Sequence, residues 1–292
     1  MSAPSVWPAP AKLNLFLHVT GRREDGYHEL ETLFQLIDLE DEIEILVTTD
    51  GRIHRGAGAT GVASEDDLTV RAARLLRERH GTPDLGARIE VRKRIPMGGG
   101  LGGGSSDAAT VLVALNALWG LGQSQETLAG LGRELGADIP VFVKGHNAIA
   151  RGIGDRLEPV ELPRRVYAIV FPGVGVSTAG IFQAPELTRN SQAITIPGFP
   201  LPGLAGATLP GRNDLEPVAA AREPAVREAL GWLGRRGAAR MTGSGACVFV
   251  VCESREAARD VLADLPKPWH GFVAEGLPRS SLHERLERYT FG

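Results

Sequence analysis

Six glycines occupy positions 98–104, and this density makes the segment the first candidate for chemistry in the chain. Glycine is costly to order, but without a Cβ atom its backbone can approach a ligand closely. Apolar residues then recur at helical spacing and predict a helix over 106–119, which Ser105, Ser106 or Asp107 would cap. Amide N–H groups converge where a glycine loop enters a helix, and they favour a polyphosphate. The sequence therefore predicts a nucleotide-binding loop.

The flanking residues argue against three known glycine loops. A Walker A loop needs a lysine before its last Ser or Thr, whereas Gly104 precedes Ser105 here. Gly98, Gly100 and Gly103 match the dinucleotide pattern GxGxxG, but a second helix follows the first where that fold needs a strand. The protein-kinase loop requires HRD and DFG motifs, which the sequence lacks. A flexible linker is disfavoured because strand and helix patterns bracket the loop.

The composition is that of an ordinary globular chain. It has 292 residues, a formal net charge of −3 and 23% charged residues, and is long enough for two domains. No basic stripe is visible, so we expect no nucleic-acid partner, and the basic run 92–94 predicts a solvated strand face. We expect no signal peptide, because the N-terminus lacks a basic flank and a continuous apolar run, and no membrane partner, because no apolar run approaches the roughly 20 residues that cross a bilayer.

The two cysteines, Cys247 and Cys252, fall in one strand-like run. Their odd spacing places them on opposite faces of a strand, which predicts that they are not linked to each other. This pattern favours a reducing, cytoplasmic location.

Hydrophobic periodicity predicts an α+β fold of two domains, with the nucleotide bound between them. In the first half, the predicted strands cover 12–19, 42–47 and 88–95, and the predicted helices cover 67–79, 106–119 and 125–135. In the second half, the predicted elements are a strand at 167–171, a helix at 223–236, a strand at 246–252, a helix at 255–265 and a strand at 271–274. Residues 183–212 are rich in Pro, Gly and small polar residues and predict a long irregular loop.

Lys12 and Asn14 are the first candidates outside the glycine loop. Apolar residues alternate from Ala11 to Val19, which places Lys12 and Asn14 together on the opposite face of a strand, about 7 Å apart. Side by side, an ammonium and an amide suit a substrate that bears hydroxyl groups. The alternating pattern alone favours a solvated strand face instead.

Asp138 lies between Gly136, where a helix is predicted to end, and Pro140. Because Pro140 restricts the residue before it, we predict extended geometry at Ile139 and a loop carboxylate at Asp138. Such a carboxylate could accept a proton from an attacking hydroxyl, and an adjacent ammonium such as Lys12 would keep it ionised. A turn or cap aspartate is the commoner role beside Gly and Pro.

Two other segments and one aromatic residue are weaker candidates. Tyr27 and His28 follow a turn signal, where their rings could contact a nucleobase, although packing is as common a role. Phe182 could do the same or pack in the core. The segment Thr242-Gly243-Ser244-Gly245 could lie against the glycine loop or form a plain tight turn.

Together, several of these segments resemble a known family. The run 96–106, followed by Asp107-Ala108-Ala109, resembles the second signature of the GHMP kinases, whose glycine loop holds ATP phosphates without a Walker lysine. The segments 10–17, 25–28, 135–142 and 241–249 narrow this resemblance to the branch of the superfamily whose substrate carries cytidine diphosphate. The resemblance extends over most of the chain.

This resemblance implies a two-domain α+β GHMP kinase fold, with the active site in the cleft between an ATP-binding domain at 1–160 and a second domain at 161–292. It implies an ATP-dependent kinase of non-mevalonate isoprenoid synthesis that phosphorylates the 2-hydroxyl of a small molecule. Asp138 falls on the family's catalytic base and Lys12 on its catalytic lysine. Mg²⁺ is expected beside ATP, but the sequence assigns no metal ligands.

The resemblance also assigns binding residues. Asn14, Tyr27, His28 and Phe182 match substrate-binding positions, the last three around the cytosine. A supporting phosphate loop matches Thr242, Gly243, Ser244 and Gly245. The ATP-binding positions are Pro96, Met97, Gly98, Gly99, Gly100, Leu101, Gly102, Gly103, Gly104, Ser105 and Ser106. Asp67 departs from the family, in which we expect Asn, and we leave it out of the predicted site.

Two other functions stay open at this point. Another small-molecule GHMP kinase, of the mevalonate or homoserine type, would not need the base-contacting residues Tyr27, His28 and Phe182. A catalytically inert nucleotide-binding protein could share the fold, although the presence of both Lys12 and Asp138 argues against it.

Overall fold

The computed structural model describes residues 3–56, 63–194 and 209–291. The strands in these ranges are β1 (Ser5–Arg22), β2 (His28–Thr48), β3 (Ile53–Arg55), β4 (Gly86–Arg92), β5 (Ala148–Arg151), β6 (Arg156–Pro159), β7 (Val166–Phe171), β8 (Arg240–Met241), β9 (Val248–Cys252) and β10 (His270–Glu275). The helices are α1 (Leu68–His80), α2 (Gly103–Leu118), α3 (Gln125–Leu135), α4 (Ile139–Lys144), α5 (Thr178–Gln183), α6 (Glu216–Arg222), α7 (Pro224–Gly234), α8 (Arg255–Leu262) and α9 (Ser281–Phe291). None of these helices is long and apolar enough to cross a membrane.

The first sheet is built on a long antiparallel pair, β1 and β2. Its strand order is β3-β4-β2-β5-β6, and β1 pairs with β2 outside this path. From Ala9 to Val19, β1 is buried on both faces. Lys12 and Asn14 therefore lie inside the protein and not on a solvated strand face.

Helices cover one side of this sheet. An apolar cluster joins β1, β2 and β4 to α1, α2, α3 and α4, with Leu112 and Phe142 among its buried members. The helix α9 returns from the end of the chain to the same cluster, where the ring of Tyr289 lies 5.5 Å from that of Trp7. This packing fixes α2, and with it the end of the glycine loop, against β1.

The second sheet has the order β10-β7-β9-β8, with antiparallel neighbours throughout. Helices α5 to α8 contribute apolar side chains to its core. A further cluster joins the two sheets, since Leu13 of β1 and Leu101 of the glycine loop pack with Ile169 of β7 and Phe249 of β9. The division into domains at residue 160 stays a prediction.

Every helix and strand predicted from periodicity is present, but β1 begins seven residues before the predicted strand 12–19 and β2 begins fourteen residues before the predicted strand 42–47, whereas the other ends are shifted by a few residues. The elements that periodicity did not predict are short, apart from α9. In the described parts of the predicted irregular loop, 183–194 and 209–212, Gln183 is the last residue of α5 and the rest contains no helix or strand, while 195–208 lies outside the described residues.

Candidate active site

A cavity of about 690 Å³ lies between the glycine loop, β1 and the N-terminus of α1. Most residues predicted for the site border it, including Lys12, Asn14, Asp138 and Phe182. The other predicted residues in its lining are Pro96, Met97, Gly98, Gly99, Gly100, Leu101, Gly102, Gly103, Gly104, Ser105, Gly243, Ser244 and Gly245. The predicted residues that do not border it are Tyr27, His28, Ser106 and Thr242.

The glycine loop and the loop at 242–245 pack against each other. Gly100 has a φ of +73°, and a Cβ atom added to it would lie 2.2 Å from the carbonyl oxygen of Thr242. The amides of Ala246 and Cys247 donate to the carbonyls of Gly98 and Gly99, both at 3.0 Å. Only glycine fits this approach, because any side chain would meet backbone atoms.

The helix α2 begins earlier than the sequence predicted. Its N-cap is Gly102, with a left-handed φ of 74°, and neither Ser105, Ser106 nor Asp107 caps it. The Ser106 hydroxyl instead donates to the carbonyl of Pro10 at 2.7 Å. Because Gly102 turns the chain before the serines, the first residues of the helix, 103–105, line the cavity, where free helical amides suit an anion.

Lys12 is held by three oxygen atoms at the cavity wall. Its Nζ lies 2.6 Å from Asn14 Oδ1, 2.8 Å from the carbonyl oxygen of Gly100 and 3.5 Å from Asp138 Oδ2. Burial lowers the pKa of Lys12, and the neighbouring Asp138 carboxylate opposes this shift. The structure thus brings the predicted lysine, asparagine and aspartate together beside the glycine loop.

Asn14 is itself fixed by residues that sequence reasoning missed. Its Nδ2 donates to Thr32 Oγ1 at 2.8 Å, which turns its amide oxygen toward Lys12. The backbone amide of Asn14 donates to Thr242 Oγ1 at 2.9 Å, and this explains why Thr242 lies behind the cavity wall. Thr32 is buried near the start of β2, where a polar residue directly before the apolar pair Leu33-Phe34 was the available signal.

The geometry predicted for Ile139 is wrong. Pro140 falls in the first turn of α4, and Ile139 is the first residue of that helix. Proline is favoured in a first turn because its missing N–H would have no intrahelical partner there. Asp138 occupies the N-cap position but makes no capping hydrogen bond. Its carboxylate, 37% exposed, therefore stays available to Lys12 and to the cavity.

A second buried charge cluster borders the cavity beside the glycine loop. Lys93 Nζ lies 2.5 Å from Asp41 Oδ2 and 2.7 Å from Asp107 Oδ2. A Cβ atom on Gly103 would lie 3.3 Å from the same ammonium. The basic run 92–94 is thus not a single solvated face, since Arg92 is exposed but Lys93 follows the end of β4 and turns inward. Burial raises the pKa of Asp107 to about 7, against the opposing effect of Lys93.

We expect the affinity for ATP to fall as the pH rises through about 7, because Asp107 loses its proton. The Asp107→Asn variant should lack this part of the pH dependence. Below that pH Asp107 keeps its proton and adds no charge beside the phosphate loop. Above it, the Asp107 carboxylate adds a negative charge there, which repels the triphosphate and lowers the affinity for ATP by about threefold or more. Nucleotide titrations of both proteins at several pH values measure the difference, and parallel profiles would contradict the expectation.

Among the residues predicted to bind the base, two have rings in contact and the third is exposed. The rings of His28 and Phe182 lie 5.1 Å apart at an angle of 31°. Tyr27 is 61% exposed on the turn before β2. The role of all three at a nucleobase stays a prediction.

Asp67 borders the same cavity and has two structural tasks. Its Oδ1 caps α1 by accepting from the Thr69 amide at 2.9 Å, and its Oδ2 lies 2.9 Å from Nε of Arg55. The carboxylate that replaces the expected amide is therefore paired with a cation.

Comparisons with known proteins agree with this arrangement. The GHMP kinases N terminal domain family matches residues 67–146, and the GHMP kinases C terminal family matches 203–271. A 4-diphosphocytidyl-2-C-methyl-D-erythritol kinase of Halorhodospira halophila is 54% identical over 289 residues, which cover 98% of each protein. The chain belongs to the 4-diphosphocytidyl-2-C-methyl-D-erythritol kinase family. A kinase of the same name from Thiobacillus denitrificans is 53% identical over 95% of this chain and 97% of its own length.

Solved structures place this 4-diphosphocytidyl-2-C-methyl-D-erythritol kinase family member in the expected fold. The crystal structure of a 4-(cytidine 5'-diphospho)-2C-methyl-D-erythritol kinase matches with a TM-score of 0.81 and 39% identity, over 93% of this chain and 99% of that one. The crystal structure of a mevalonate kinase matches with a TM-score of 0.65 and 14% identity, over 93% of this chain and 99% of that one. At this identity the likeness shows a shared fold and nothing more. The predictions of a GHMP kinase fold and of a kinase are confirmed.

Proposed function

We propose that this chain transfers the γ-phosphoryl group of ATP to the 2-hydroxyl of 4-diphosphocytidyl-2-C-methyl-D-erythritol, a step of non-mevalonate isoprenoid synthesis. The observation that carries the proposal is the Lys12–Asp138 pair, 3.5 Å apart, in the cavity that the glycine loop borders. The 54% identity to a kinase of that name, over nearly the whole chain, supports the same substrate.

The pair suits a transfer in which the protein supplies positioning and charge. Asp138 accepts the proton of the substrate hydroxyl as its oxygen attacks the γ-phosphorus, and the bond to the β-phosphate oxygen breaks to release ADP. The Lys12 ammonium stabilises negative charge on the attacking oxygen and on the transferred group. Asn14 holds Lys12 in this position.

The proposed ATP site consists of backbone amides from 96–106 and of the supporting loop 242–245. The α2 amides and the close glycine backbone would hold the phosphates, as the position of these residues in the cavity lining favours. Asn14, Tyr27, His28 and Phe182 would bind the acceptor, with the last three at its cytosine. The free thiols of Cys247 and Cys252 agree with the proposed cytoplasmic location.

Mg²⁺ fits the proposed site. This ion is usually bound by one or two protein oxygens together with phosphate oxygens and water, so it needs few ligands from the chain. Ser106 is committed to Pro10 and Asp107 to Lys93, whereas Ser105 borders the cavity, where its hydroxyl would hold the ion. When bound, Mg²⁺ neutralises charge on the β- and γ-phosphates.

An acceptor panel tests the proposal. ADP release is measured with ATP, Mg²⁺ and, in turn, 4-diphosphocytidyl-2-C-methyl-D-erythritol, mevalonate, homoserine and galactose. We expect turnover with the first acceptor alone. Turnover with only one of the other three would assign a different GHMP kinase activity, and ATP binding without any turnover would favour a non-catalytic protein.

A further inference from the structure

One arginine connects the two side chains proposed to contact the cytosine. Arg189 Nε lies 3.0 Å from His28 Nε2. Its Nη2 donates to the carbonyl of Phe182 at 3.0 Å and to that of Ala184 at 2.6 Å, and its Nη1 donates to the carbonyl of Leu187 at 2.9 Å. A single guanidinium therefore binds the His28 ring and the backbone that carries Phe182.

The contact with Arg189 determines where His28 carries its proton. A guanidinium keeps all its protons at any ordinary pH and can only donate hydrogen bonds. His28 Nε2 must therefore accept, which requires a neutral imidazole with its proton on Nδ1. Burial lowers the pKa of His28 below its usual value, and the positive charges of Arg189 and Arg22 lower it further. Neutral His28 is thus favoured at neutral pH.

The fixed tautomer has a consequence for recognition. With Nε2 occupied by Arg189, the ring offers one free polar atom, the Nδ1–H donor. Cytosine presents two adjacent acceptors, N3 and O2, and both can take a hydrogen bond from such a donor. The same guanidinium holds the backbone of Phe182, whose ring lies 5.1 Å from that of His28.

We propose that Arg189 is a positioning residue for the pyrimidine of the substrate, which it serves by fixing His28 as a neutral Nδ1–H donor and by holding Phe182 beside it. The pyrimidine part of this inference rests on the proposed function, because it takes the ligand to be a cytidine nucleotide. The tautomer part concerns the free protein and is measured without any substrate.

Arg222, the last residue of α6, provides a matched control because it also binds α5 and the residues after it. Its Nη1 donates to the carbonyl of Gly180 in α5 at 3.0 Å, and its Nε donates to Glu186 at 2.8 Å. Like Arg189 it binds the backbone of α5, but its hydrogen bonds do not include His28. If Arg189 only stabilised this segment, Arg189→Gln and Arg222→Gln would have similar effects.

The first measurement is the ¹⁵N spectrum of histidine-labelled protein, with the His28 signals assigned from a His28→Gln variant. We expect Nδ1 to be protonated and Nε2 unprotonated in the unsubstituted protein and in Arg222→Gln. Arg189→Gln should give a mixture of tautomers and a higher pKa of His28, because a positive neighbour is removed. A protonated Nε2 in the unsubstituted protein, or an unchanged ring in Arg189→Gln, would overturn the proposal.

The second measurement separates KM from kcat in the acceptor reaction. Arg189→Gln should raise the KM for the cytidine substrate about tenfold, with kcat and the KM for ATP nearly unchanged. Arg189→Lys, which keeps the charge but not the fork of donors, should recover part of the loss. Equal KM values in Arg189→Gln and Arg222→Gln would contradict the pyrimidine role. If the unsubstituted enzyme does not turn over this substrate, the proposed function fails, while the tautomer result stands by itself.

Discussion

Asp138→Asn is expected to lower kcat by about 10²- to 10⁴-fold while the protein still binds ATP. The amide has nearly the same size as the carboxylate but cannot accept the proton of the attacking hydroxyl. Lys12, 3.5 Å away, also loses its anionic neighbour, although its contacts with Asn14 and Gly100 remain. Single-turnover ADP release measures the chemical step, and calorimetric titration with ATP measures binding.

Asp155→Asn is a suitable control for that substitution. Asp155 also pairs with a cation, Arg133 at 3.6 Å, but it does not border the cavity. This variant should keep nearly full activity. Full activity in Asp138→Asn would remove Asp138 as the base, and loss of ATP binding together with turnover would indicate a structural role.

Gly100→Ala is expected to destabilise the protein by about 2–5 kcal/mol and to raise the KM for ATP. Two separate penalties add at this position. The φ of +73° disfavours any residue with a Cβ atom, and that atom would lie 2.2 Å from the Thr242 carbonyl oxygen and 2.9 Å from that of Gly245. Both neighbours are backbone, so relief requires the two loops to separate. Urea unfolding and ATP titration measure the two effects.

Gly104→Ala tests the same loop without the clash. A Cβ atom at Gly104 would meet only Leu68 Cδ1, at an ordinary distance of 3.7 Å, and the residue lies within α2. Alanine is favoured over glycine in a helix by up to about 1 kcal/mol, so this variant should be as stable as the parent or slightly more. Equal stabilities of Gly100→Ala and Gly104→Ala would contradict the packing described for the two loops.

The parts of the site that follow from local pattern could be predicted from the sequence. Alternation placed Lys12 and Asn14 on one side of a strand, and the structure joins their side chains at 2.6 Å. The glycine run and the helix after it likewise form one continuous element, with Gly102 as the N-cap of α2. In both cases neighbouring residues determine the geometry, so a short segment contains the information.

The missed features depend on residues far apart in the sequence. Lys93 is largely buried because two carboxylates from other elements, Asp41 of β2 and Asp107 of α2, form ion pairs with it. The contact between Arg189 and His28 joins positions 161 residues apart, in a segment without periodicity. Pro140 is compatible with two local structures: the end of the helix before it, or the first turn of a new helix. The local sequence does not decide between them, and the structure shows the second.

The ³¹P spectrum of the reaction product tests the proposed transfer most directly. The acceptor carbon carries a methyl group and no hydrogen, so a phosphate on the 2-hydroxyl shows no three-bond coupling to a carbinol proton. The account predicts a new monoester signal without this coupling, formed in equal amount with ADP from ATP and 4-diphosphocytidyl-2-C-methyl-D-erythritol. Inorganic phosphate in place of that signal, or a monoester coupled to carbinol protons, would contradict it.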